Sequence, residues 1–169
     1  MYKAMDIAQY IINYAIELDK PVSNLKLQKL LYYVQASLLL RSEDSCIEEE
    51  IYNWRHGPVI EEVYQEYKKY SNNTIKEKQE EYFTYEVDDS FSLYKVTYTF
   101  EERQQQIAND DKKLIKDVID SLIDYDPWTL VKETHIEDPW TNVKTNEIIT
   151  KESIKEYFLE NPERIYGEF

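Results

Sequence analysis

Apolar residues recur along this chain at helical spacing in several stretches and at strand spacing in one. The densest stretch is Ser23 to Arg41, SNLKLQKLLYYVQASLLLR, where Leu27, Leu30, Leu31, Val34 and Leu38 fall on one helical face. Leu25, Tyr32, Tyr33, Ala36, Leu39 and Leu40 carry the apolar surface nearly all the way round, interrupted only by Lys26, Gln28, Lys29 and Gln35. A helix that apolar has to be surrounded by others. Ser23 or Asn24 is placed to cap its free N–H groups, and the lysines near one end, with the tyrosines and glutamines, argue against a membrane span.

Other helices are predicted around it. Ile7, Ile11, Tyr14, Ala15 and Leu18 give a helix over about 3–18, with Asp6, Asn13 and Glu17 expected outside. The segment 47–54 fits either a helical turn or an extended piece. Gly57 and Pro58 read as a helix start, with Val59, Val63, Tyr67 and Tyr70 as its buried stripe. Leu114, Ile115, Val118, Ile119, Leu122 and Ile123 predict a helix behind Asp110 and Asp111. Asp126-Pro127 starts a short one ending near Glu133, and Asp138-Pro139-Trp140 repeats the same start signal. A last helix begins at Thr150, with Ile149 and Ile154 spaced as a hydrophobic staple.

Between Asn72 and Glu102 the period changes. Residues 82–87 and 91–100 are aromatic and β-branched, with Leu93, Tyr94, Val96, Tyr98 and Phe100 partly alternating, and Asp88-Asp89-Ser90 suits a turn. The expected fold is mainly α: a single compact domain over residues 1–169 around a buried central helix, with a small β-hairpin insertion at 72–102.

Composition narrows the function. The chain has 169 residues, 34 acidic and 20 basic, for a net charge of −14. That balance speaks against direct nucleic-acid binding, which draws on lysine and arginine, and favours a basic protein partner. The imbalance is concentrated in residues 71–169, with 23 acidic and 12 basic side chains. The two glycines leave no phosphate-cradling loop, and no cofactor is expected. The N-terminus MYKAMDIAQY carries no secretory pattern, so the cytoplasm is the expected compartment.

Candidate chemistry is sparse. His56 and His135 sit in predicted turns, where an imidazole holds backbone groups or faces a partner. No nucleophile elbow is present, and the acidic loop around Cys46 would raise its thiol pKa. A metal-assisted enzyme centred on His135 and Asp138 is the rival reading, but HExxH and paired CxxC spacings are missing, so neither a catalytic nor a metal-binding set is assigned. An operon repressor is a further rival, without a basic helix-turn-helix segment to support it. The sixteen tyrosines suit half-buried packing and a contact surface.

The segments NLKLQKLLYYVQASLLL, IYNWRHGPVIEEVYQEY and THIEDPW, followed by a final helix ending in EYF, together resemble the Panacea domain of SocA-like antitoxins, whose phage-borne members are the phage-associated GepA proteins. The resemblance runs from Tyr10 to about Phe158. Its motif positions here are Leu27, Lys29, Leu30, Tyr32, Trp54, Gly57, Pro58, Val59, Thr134, His135, Asp138, Pro139 and Trp140, most with a structural explanation. The resemblance implies a helical antitoxin that binds its toxin directly. Family toxins are unrelated to one another and many block translation, and one member delivers its toxin to a protease. The expected partner is a cognate, basic toxin, with Tyr33, Arg55, His56, Tyr85, Tyr94 and His135 as candidate contacts. The 72–102 segment is longer and richer in tyrosine than the family pattern, which makes it a reasonable place for the toxin-specific surface.

Overall fold

A computed structural model describes residues 1–169, the side chain of Ser45 excepted. The fold is mainly helical, with helices α1 (Ala4–Glu17), α2 (Asn24–Arg41), α3 (Glu61–Tyr67), α4 (Phe100–Gln104), α5 (Asn109–Leu122), α6 (Pro127–Thr134), α7 (Asp138–Thr141) and α8 (Lys151–Glu160). Strands β1 (Ile51–Trp54), β2 (Gly57–Val59) and β5 (Ile148–Ile149) form one antiparallel sheet in the order β2-β1-β5; β3 (Glu81–Val87) and β4 (Leu93–Thr99) pair separately. Among the described residues, no helix is long and apolar enough to cross a membrane.

Helix α2 lies against α1, α3, α5, α6 and α8, and from Leu27 to Leu39 every residue is buried. Ser23 caps it by accepting from Lys26 N. The four polar residues that interrupt its apolar surface, Lys26, Gln28, Lys29 and Gln35, are buried too, and each holds the backbone of a surrounding segment. Lys26 donates to the carbonyls of Ile123 and Tyr125, at the C-terminal end of α5, where the helix dipole favours a cation. Gln28 accepts from Ile60 N at 2.9 Å at the start of α3, and Gln35 accepts from Ile47 N at 2.7 Å. Lys29 donates to Pro58 O at 2.9 Å in β2. A core helix with no polar residues could bury the same area but would leave these backbone groups unpaired.

Two expectations are corrected and one open alternative is decided. Gly57-Pro58-Val59 is a strand: Gly57 has φ +96°, outside the helical region, and pairs with Trp54 across the Arg55-His56 turn, so α3 begins only at Glu61. The segment 51–54, read either way from sequence, is extended and paired on both sides, Ile51 lying opposite Ile149. Asp6 and Asn13 are buried, at 4% and 3% exposed, because the 72–102 segment packs over them. Asn13 exchanges hydrogen bonds with the backbone of Gln79, at 2.8 and 2.7 Å. Asp6 accepts from Tyr82 Oη at 2.9 Å and pairs with Arg103 at 2.7 Å. An isolated two-stranded hairpin is marginal in water; these contacts and Gln9 Nε2 to Glu81 O at 3.1 Å fasten this one to α1.

Helix α6 is capped by Asp126, which accepts from Trp128 N. At the second Asp-Pro-Trp the cap position belongs to Glu137, whose side chain is used elsewhere. Thr150 caps α8, and Ile149 and Ile154 are both buried. The segment Pro162–Tyr166 adds a turn of 3-10 helix that packs on α5 and α8.

Candidate functional site

Three places gather the candidate residues. The first is the knot where β2 meets α2 and α6. A Cβ built on Gly57 would stand 2.7 Å from Thr134 Oγ1 and 2.8 Å from Lys29 Nζ, so only glycine fits between them. Lys29 has no exposed surface, and burial pulls its amine down to about 7. Trp140 Nε1 donates to Trp54 O at 3.3 Å, and its ring stacks on His135 at 4.0 Å between centroids. The His135 imidazole is half-buried, its Nε2 has no hydrogen-bond partner among the described residues, and burial lowers its pKa, with Lys29 and His56 acting in the same direction. Asn53 joins this knot by donating to the carbonyls of Trp140 and Val143, both at 2.7 Å. Sequence reasoning missed it, since one asparagine in a short strand carries no pattern.

Beside the knot lies a buried cluster around Glu137. Its carboxylate accepts from Tyr33 Oη and pairs with Arg164 Nε, each at 3.1 Å. Burial pushes the carboxyl up to about 7 against the pull of Arg164. Phe169 packs on Tyr33 and Tyr125, and Arg164 lies over the Phe169 ring. Tyr33, expected as a contact, has no exposed surface and offers nothing to a partner. Its hydroxyl is occupied by Glu137, a residue that only the tertiary structure brings within reach.

The remaining candidates are exposed, on two surfaces. Arg55 and His56 form the β1–β2 turn at the mouth of a groove of about 440 Å³, which Trp54, Tyr64 and Trp128 also line. His56 meets Trp128 edge to face. Tyr85 and Tyr94 belong to the β3–β4 hairpin but to opposite faces, because side chains alternate along a strand. Tyr85 shares the outer face with Phe83, Val87 and Leu93, exposed by 54% to 67%, and Phe91 at the turn is 92% exposed. Lys95 Nζ sits 4.0 Å over the Phe83 ring. Tyr94 is on the inner face and donates to Glu86, as does Tyr98.

Among the described residues, no three His, Cys, Asp or Glu side chains are grouped to hold a metal ion. Asp138 is exposed, whereas the half-buried His135 ring lies against Trp140.

The family model for the SocA-like antitoxin Panacea domain matches residues 27–141. The chain belongs to this antitoxin family. No match appears among curated proteins, nor among solved structures. The matched span of the Panacea domain opens inside α2, closes at the end of α7 and contains the whole hairpin. Of the thirteen motif residues, all but the exposed Asp138 are buried or half-buried around α2 and the knot.

Proposed function

We propose that this Panacea-domain protein is the antitoxin of a two-gene pair, that it neutralises a basic toxin by direct binding, and that it performs no reaction of its own. The observation that carries the reading is the outer face of the hairpin. Phe83, Tyr85, Val87, Phe91 and Leu93 are left in water on an otherwise acidic protein, and a soluble chain rarely leaves such a cluster uncovered without a partner for it. Most of the motif residues, by contrast, are packed around α2 and the knot. Arg55 and His56 border the second accessible surface and are assigned a supporting contact.

Co-expression tests this. The neighbouring gene product is expected to arrest growth alone, to be harmless beside this protein and to copurify with it. Replacing Tyr85 and Leu93 together by serine is expected to abolish rescue while leaving the thermal midpoint nearly unchanged, since both side chains face water. A neighbouring product that is harmless alone, or a pair that separates on purification, overturns the reading.

A further inference from the structure

The hairpin offers a partner more than its apolar face. Phe100 N donates to Glu80 O at 2.7 Å at one end of the ladder and Asp88 N to Ser92 O at 3.1 Å at the other. With the register Tyr82↔Tyr98, Thr84↔Val96 and Glu86↔Tyr94, these bonds fix the parity of the ladder, because antiparallel pairs alternate between bonded and non-bonded. Even-numbered residues bond across the hairpin. Odd-numbered residues turn their N–H and C=O outward, to the two free edges.

The two edges differ. On β3 the outward carbonyl of Glu81 is taken by Gln9, and a groove bounded by Met5, Glu62 and Glu66 separates the start of the strand from α1 and α3. On β4 the outward groups belong to Leu93, Lys95 and Thr97. All three residues are exposed, and among the described residues no hydrogen bond from another element reaches their backbone. Unpaired strand edges are templates for another strand, and proteins that do not use them usually shorten, bulge or cover them. This one is seven residues long and uncovered.

We propose that the toxin docks by adding an extended segment to the free edge of β4, continuing the sheet and the apolar face of Phe83, Tyr85 and Leu93. The inference rests on the antitoxin reading above and gives its binding mode. The charge around the edge selects the occupant. From Glu80 to Arg103 the chain carries seven carboxylates against Lys95 and Arg103, and Arg103 is spent on Asp6. A segment with alternating apolar residues and flanking lysine or arginine matches that edge. A second copy of this chain would bring the same carboxylates against one another.

Amide hydrogen exchange on the complex with the neighbouring gene product tests the mode directly. The amides of Leu93, Lys95 and Thr97 are expected to slow by about tenfold or more on binding, corresponding to about 1.4 kcal/mol. Those of Tyr94, Val96 and Tyr98, already bonded within the hairpin, change little, so protection is gained at every second residue. Lys95→Pro removes one outward N–H and no bond inside the hairpin. It is expected to weaken binding about tenfold relative to Lys95→Ala, which keeps the N–H and controls for the lost ammonium. A complex that forms without this alternating protection refutes strand addition and leaves the antitoxin reading standing. Failure to copurify or rescue removes both. Alternating protection already present in the isolated chain and growing with its concentration assigns the edge to self-pairing and overturns the toxin as occupant.

Discussion

Replacing Lys29 by methionine exposes the cost of an ammonium at the centre of the fold. Its amine is fully buried, its one hydrogen bond goes to Pro58 O, and it titrates at about 7 where a free lysine titrates at 10.5. The unfolded chain therefore binds the proton more tightly than the folded one between those two values, and stability rises with pH through that window. Below pH 7 the penalty is complete, at about 5 kcal/mol, since each pH unit between the two values is worth about 1.4 kcal/mol. Methionine fills a similar volume without charge but leaves the Pro58 carbonyl without a donor, a loss of about 1–3 kcal/mol at any pH. Lys29→Met is thus expected to be the more stable protein at pH 7, by about 2 kcal/mol. Its advantage should shrink by about 3 kcal/mol between pH 7 and pH 9.5 and reverse near the top of that range. Urea titrations of both proteins at pH 7, 8, 8.5 and 9.5 check this, because groups that do not feel Lys29 cancel in the difference, and His135, which does feel it, has its pKa lowered and gives up its proton below this range. A difference independent of pH would mean that Lys29 keeps its proton in the fold, and the argument for a neutral buried amine would be wrong.

Four further outcomes follow from the same contacts. Gly57→Ala forces a Cβ against Lys29 and Thr134 at φ +96° and should cost about 3 kcal/mol, read as a fall in thermal midpoint. Glu137 binds its proton more tightly folded than unfolded, so it destabilises the protein increasingly as pH rises from 4.5 to about 7; Glu137→Gln should gain relative stability across that window, by about 1.4 kcal/mol per pH unit in denaturant titrations. Asp6→Ala strands Arg103 and Tyr82 and should cost about 3 kcal/mol, with hairpin amides exchanging faster than those of α2. Association with a basic toxin should slow steeply with added salt in stopped-flow measurements; a rate indifferent to salt would remove charge from the recognition argument.

The sequence by itself determined what depends on neighbours a few residues away. The start of α2 at Ser23, of α6 at Asp126 and of α8 at Thr150 are cap chemistry, decided by a side chain and an N–H two or three residues on. The alternation in 93–100 is a local period as well. HGPV failed because glycine before proline suits a helix start and a strand leaving a tight turn equally well; the choice was made by Trp54 opposite Gly57 and by Lys29 and Thr134 behind it. The polar residues Asp6 and Asn13 read as wet because burial of a polar group depends on a partner, and theirs lie far away in sequence, at Arg103 and Gln79. Tyr33 looked like a contact for the same reason: a tyrosine on an all-round apolar helix shows its ring in the pattern but not where its hydroxyl goes. Local periods and caps were written in the chain, whereas the pairing of distant polar groups, the short β2-β1-β5 sheet and the bare edge of β4 were decided only when the segments met.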